Sequence, residues 1–83
     1  MKTEFEQLLY ALVTPIVAKP DDVSISSFVD VDETVVLQVL VSKDDLGRVI
    51  GKGGRIANAI RTVAHASASR ANKKIKIEFD SFE

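Results

Sequence analysis

Apolar residues recur at Phe5, Leu8, Leu9, Leu12, Val13 and Ile16, a spacing that lines one side of a helix. Thr3 and Glu6 stand in front of that stripe with the spacing of a capping box, in which each side chain satisfies an N–H of the first turn. Pro15 has no N–H for the helix ladder and disfavours helical backbone at Thr14, so the last turn is expected to kink or break there. Pro20-Asp21-Asp22 reads as a turn.

The period then changes from helix to strand. Val23 to Val31 is rich in β-branched residues with imperfect alternation, which predicts an edge or bulged strand. After the polar break Asp32-Glu33, Thr34 to Ser42 puts Val35, Leu37, Val39 and Val41 on one face and Val36 and Leu40 on the other. So short a break predicts an antiparallel hairpin. A strand apolar on both faces is expected at the centre of its sheet, or partly covered by a ligand or partner.

Ser42 and Asp45 repeat the helix-start spacing and open a short helix through Ile50, which Gly51-Lys52-Gly53-Gly54 stops. A long helix is predicted from Arg55 to about Ala71. On it, Ile56, Ile60 and Val63 are spaced to pack on a sheet, and Ala57, Ala64, Ala68 and Ala71 form a stripe of methyl groups suited to close packing within the chain. Lys74 to Asp80 alternates cleanly, with Ile75, Ile77 and Phe79 inward, as a half-buried strand. Phe5, Phe28 and Phe79 read as core, leaving Tyr10 and Phe82 as the exposed rings.

Composition narrows the chemistry. The 83 residues include no cysteine and one histidine, His65, so disulfides, thiolate chemistry and a histidine metal site are not expected. No apolar run approaches the ~20 residues that span a bilayer, and the N-terminus lacks a secretory pattern, so a cytoplasmic protein with no membrane partner is expected. The net charge of −1 and a pI near 5.8 argue, taken alone, against a nucleic-acid partner. Resolved along the chain, the picture inverts. Residues 1–45 carry three lysines against nine acids, net −6, whereas residues 46–83 carry eight basic residues against three acids, net +5. Between Leu46 and Ile77 there is no acid at all. Such a segment is either a local anion site or a solvated basic face.

One stretch inside it asks for special backbone chemistry: Arg48-Val49-Ile50-Gly51-Lys52-Gly53-Gly54-Arg55. Three glycines in four positions let the backbone take positive φ and approach a ligand closely. The loop also opens the long helix, whose N-terminal end favours a phosphate. Two nucleotide motifs fail letter by letter. The Walker A pattern is one residue short and lacks the hydroxyl after Lys52, and the dinucleotide fingerprint meets Ile56 where its third glycine belongs.

The segment Ile50-Gly51-Lys52-Gly53-Gly54, between two predicted helices with strands on both sides, resembles the I-G-x-x-G signature of the K-homology (KH) domain. The N-terminal helix and hairpin resemble its type II arrangement. More narrowly, Gly47-Arg48-Val49-Ile50-Gly51, Gly54-Arg55 and Ala59-Ile60-Arg61-Thr62-Val63 resemble the stand-alone bacterial KH proteins of the KhpA family. One departure is Ala57, which stands where the wider KH pattern has a larger apolar residue. The resemblance implies an α+β fold over residues 1–83, a single type II KH domain. Its order is helix–strand–strand–helix–GXXG loop–helix–strand, with a three-stranded sheet packed by helices on one face. It also implies a cytoplasmic single-stranded RNA binder and RNA chaperone without a cofactor. Its partners would be a second copy, a KhpB-like KH protein, or both, with an influence on cell shape and cell-wall homeostasis.

By position, Gly51, Lys52, Gly53 and Gly54 are the expected clamp, with Arg48, Lys52 and Arg55 as phosphate contacts. Ile50 and Ile56 read as core positions that can also wall a groove. Arg61 and Arg70 are second-tier contacts, since helix-face cations are usually solvated, and for Lys73, Lys74 and Lys76 the sequence leaves open an extended track or protection of an edge strand. Two other functions compete: a protein-interaction module with incidental nucleic-acid binding, and a helix–turn–helix DNA reader with Arg55 and Asn58 as its base contacts. No carboxylate pair, metal ligand set or nucleophile–base spacing points to an enzyme.

Overall fold

A computed structural model describes residues 3–82; Lys2 and Glu83, counted in the charge balance, lie outside them. Helix α1 (Glu4–Val13) starts as expected: the Glu6 N–H donates to Thr3 Oγ1 and the Thr3 N–H donates to Glu6 Oε1, both at 3.1 Å. Glu6 Oε1 also accepts from Ser27 Oγ at 2.9 Å, tying the helix start to the first strand. At Thr14-Pro15-Ile16 the helix tightens into a 3₁₀ turn, as Pro15 requires, and Pro20–Asp22 forms another.

Strand β1 (Ser24–Val29) pairs antiparallel with β2 (Val35–Val41), which pairs in parallel with β3 (Ile75–Ser81). The apolar β2 is central and β1 is an edge, as the patterning predicts. Parallel neighbours need a long crossover. Here it contains helix α2 (Lys43–Ile50), the glycine loop and helix α3 (Arg55–Arg70). Helix α3 ends in a left-handed Asn72, with the Lys73 N–H on the Ala68 carbonyl and the Asn72 N–H on the Ser69 carbonyl.

The core gathers Phe5, Leu9 and Val13 of α1, Val49 of α2, and Ile60, Ala64 and Ala68 of α3. These pack against Ile25, Leu37, Val39, Val41 and Ile77, all on one face of the sheet. Among the described residues no helix is long and apolar enough to cross a membrane.

Four expectations are corrected. Phe28 is 58% exposed and outside the core, because its register partner is Val36, on the face that the helices leave uncovered. Val63 is 46% exposed, because α3 meets the sheet through Ala57, Ile60, Ala64 and Ala68, with Ala71 exposed beyond the end of the stripe. β1 is shorter than Val23 to Val31: its last strand pair is Val29 with Val35, the Asp30 N–H closes the turn on the Thr34 carbonyl at 2.8 Å, and Val31 is fully exposed in the turn. Ser42 caps α2 by position only, since its side chain makes no bond to a helix N–H.

Candidate nucleic-acid interface

Asp45 takes up the role that Ser42 leaves, but for a different partner. Fully buried, its carboxylate accepts from the N–H groups of Ala18 (2.9 Å) and Lys19 (3.0 Å), from Ser42 Oγ (3.1 Å) and from Arg48 Nη1 (2.9 Å). The Ala18 N–H does most to hold its pKa below the usual aspartate value, and the Lys19 N–H, Ser42 and Arg48 add to this against the opposing effect of burial. The carboxylate therefore fastens the segment after α1 to the start of α2, and through Arg48 reaches the helix end that meets the loop.

At Gly51 the backbone turns to φ 51° and ψ 131°. A Cβ there would lie 2.8 Å from Ile56 Cγ1 and 3.2 Å from the Arg48 carbonyl, so this position requires glycine for space as well as for conformation. The Gly54 N–H (2.9 Å) and the Arg55 N–H (3.0 Å) both donate to the Gly51 carbonyl, closing the loop on itself. Lys52, at the tip, is held at φ 43°, a left-handed conformation that costs a side-chain-bearing residue about 1 kcal/mol. Strain of this kind concentrates where a segment must present itself to a ligand. Gly53 (φ 69°) is open, with no atom within 4 Å of a would-be Cβ.

The predicted residues divide by what holds them. Lys52 and Arg55 are exposed and, among the described residues, paired with no acid. Arg48 is pinned, with Nη1 on Asp45 and on the Asp44 carbonyl at 3.2 Å. Ile50 is 39% exposed beside the loop and outside the core, whereas Ile56 packs against the core below Gly51. No group of three or more potential metal-ligating side chains occurs among the described residues.

The loop thus sits between two helices that follow the central strand and precede a strand parallel to it, and known proteins share that arrangement. Residues 6–79 match the family described as KhpA/KhpB, KH domain. The chain belongs to the KhpA/KhpB KH-domain family.

Among its relatives, the RNA-binding protein KhpA of Listeria monocytogenes is 47% identical over 73 residues, covering 88% of this chain and 95% of the relative. The KhpA protein of Bacillus subtilis, of the same name, is 41% identical over 73 residues, covering 88% and 89%. That of Borreliella burgdorferi is 35% identical over 72 residues, covering 87% of each. The fold is also found in two structures of Era. One is a single-site variant of Aquifex aeolicus Era bound to GDP·AlF4⁻, with a TM-score of 0.62. The other is Era in complex with MgGDPNP and nucleotides 1506–1542 of 16S ribosomal RNA, with a TM-score of 0.63. Each is 10% identical and covers 93% of this chain, which spans 29% of the Era chain, so the likeness is one of fold.

Sequence reasoning found the KH loop and its cations but treated Asp45 only as a helix-start residue. No local signal announces that its partners lie 26 and 27 residues upstream. It also ranked Arg61 second among the cations, as one on a solvated helix face, whereas that side chain is half-buried against β3.

Proposed function

We propose that this KhpA/KhpB-family chain binds single-stranded RNA by its sugar–phosphate backbone. The observation that carries the reading is the loop itself. Gly51, Gly53 and Gly54 all adopt positive φ between α2 and α3, and the unpaired cations Lys52 and Arg55 stand at its tip and shoulder. Such a loop brings backbone close to phosphate without a Cβ in the way, and the start of α3 adds the positive end of a helix dipole. Gly51 to Gly54 form the clamp, Lys52 and Arg55 supply free charge, and Arg48 contributes a guanidinium fixed in place by Asp45. Ile50, exposed next to the loop, offers an apolar wall to the nucleotide beside the clamp. No cofactor takes part. The name of the Listeria and Bacillus relatives, RNA-binding protein KhpA, supports the same reading.

The test is the pair Lys52→Asp with Gly53→Asp. Because Gly53 is sterically open, the double variant keeps a native far-UV circular dichroism spectrum while RNA binding is lost. For the unaltered protein, two to three phosphate contacts give a slope of log K against log salt of about −2. Binding by a natively folded double variant that matches wild type would rule the clamp out.

An apolar surface favours a second element of the reading, self-association or pairing with a KhpB-like KH protein. Leu12 and Ile16 face Ile56, Ala59, Ile60 and Val63 across a shallow groove of about 280 Å³ between the N-terminal segment and α3, with Arg55 lining its loop end. Work in the cytoplasm as an RNA chaperone, with an effect on cell shape and cell-wall homeostasis, follows from the family resemblance and belongs to this proposal.

A further inference from the structure

Arg61 is held by three different contacts. Its guanidinium carbon lies 5.0 Å from the centroid of the Phe79 ring, Nη1 donates to Asn58 Oδ1 at 3.2 Å, and Nη2 donates to the Ile77 carbonyl at 3.4 Å. Among the described residues no carboxylate pairs with it. A cation fixed in orientation but not neutralised, in a chain of net charge −1, is arranged to receive something.

Its position says where that something comes from. Asn58 lies one turn below the loop, with its Nδ2 3.9 Å from a would-be Cβ on Gly54. Gly54, Asn58 and Arg61, spaced by four and then three residues, therefore form one row along α3. The row ends at the open edge of β3. The Val35 N–H bonds to the Lys74 carbonyl and the Phe82 N–H to the Val41 carbonyl, so in this parallel register the even-numbered residues of β3 face β2. The Ile77 carbonyl points the other way, to Arg61.

The chemistry of a guanidinium set over a ring differs from that of a phosphate contact. Unpaired bases stack on aromatic rings or on arginine planes. Of the described rings, Phe5 is buried, Phe28 lies on the helix-free sheet face, Phe82 stands beside the start of α2, away from its loop end, Tyr10 is on α1, and Phe79, the ring in contact with this row, is half-buried under Arg61. We propose that Arg61 is the base-stacking shelf of the RNA site: its guanidinium, set over the Phe79 ring, receives the nucleobase that follows the backbone held by the loop. This rests on the RNA-binding reading above. Asn58 and the Ile77 carbonyl act as positioning groups that keep the plane in place.

NMR titration with the pentanucleotide rA₅ and its five single-abasic versions tests the shelf, since five nucleotides leave little room to slide. Arg61→Lys keeps the charge and loses the plane. It is expected to weaken rA₅ binding about tenfold or more, with the salt slope unchanged. One abasic position should weaken wild-type binding by a similar factor and leave Arg61→Lys unaffected, the non-additivity expected when two changes remove the same contact. Bound rA₅ should also move the Arg61 Nε–Hε resonance upfield, and that abasic version should not. An Arg61→Lys protein that binds rA₅ like wild type overturns the shelf, as does multiplication of the two losses. Should Arg61→Lys fail to fold, abasic scanning of the wild type still decides, because the absence of any single sensitive base overturns the proposal. A wild-type protein that binds none of these oligonucleotides overturns the RNA-binding reading itself, a different outcome from binding that ignores Arg61.

Discussion

Asp45 shows how much one buried carboxylate can organise. It joins two backbone N–H groups, a hydroxyl and a guanidinium from three parts of the chain. Asp45→Asn replaces an acceptor pair with a group that must turn one N–H₂ toward other donors, leaving buried polar atoms unmatched. The midpoint of thermal unfolding is expected to fall by roughly 10 °C. The acid limb should change as well. A carboxylate whose folded pKa is depressed contributes stability that is fully present above the ordinary aspartate value of about 4, and loses it as pH falls through the lower folded value. Melts between pH 2 and 7 should therefore show a shallower acid decline in Asp45→Asn than in wild type. The helix start at this residue was legible from the Ser42–Asp45 spacing. Its side-chain partners were not, because Ala18 and Lys19 reach it only after α1 and α2 have docked on the sheet.

At the scale of elements, the glycine loop separates two uses of the same residue type. Gly51 fills a space that Ile56 and the Arg48 carbonyl close, whereas Gly53 is open and left-handed. Gly51→Ala should cost about 3 kcal/mol or more in denaturant unfolding, from crowding and a disallowed backbone together. Gly53→Ala should cost about 1 kcal/mol, the conformational share alone. Equal losses would mean that the Ile56 side chain yields easily. The loop was readable because three glycines among basic residues have few structural explanations, β2 because it is apolar on both faces, and β3 because its alternation is unbroken. The exposure of Phe28 and Val63 was not readable. Periodicity groups residues by face but does not say which face the neighbouring elements will cover, and here the helices occupy one side of the sheet while α3 turns Val63 outward.

For the whole molecule, the helix carrying the loop has two sides with different chemistry. One runs through Asn58 and Arg61 to the edge of β3, and the other carries Ile56, Ala59 and Val63 into the apolar groove beside α1, where Arg55 joins them next to the loop. Val63→Glu places a charge in that groove without touching the core. It is expected to shift sedimentation velocity profiles toward the monomer and leave the affinity of a single site for a short RNA unchanged. Profiles identical to wild type at all concentrations would remove this surface from consideration as the association face.

The parallel pairing of β2 with β3 also bears on the order of events during synthesis. The capping box of α1 and the β1–β2 hairpin join residues close in sequence and can form as soon as they are made. β3 must instead return across the entire helix–loop–helix segment to find β2, the kind of long closure that forms late and slows folding. Until it does, α2 and α3 lack one of the strands they pack on, and Arg61 has neither the Phe79 ring nor the Ile77 carbonyl to rest against. The glycine loop of a nascent chain is therefore made well before the row from Gly54 to Arg61 has its support, and the strand that follows the loop decides when that face of α3 is complete.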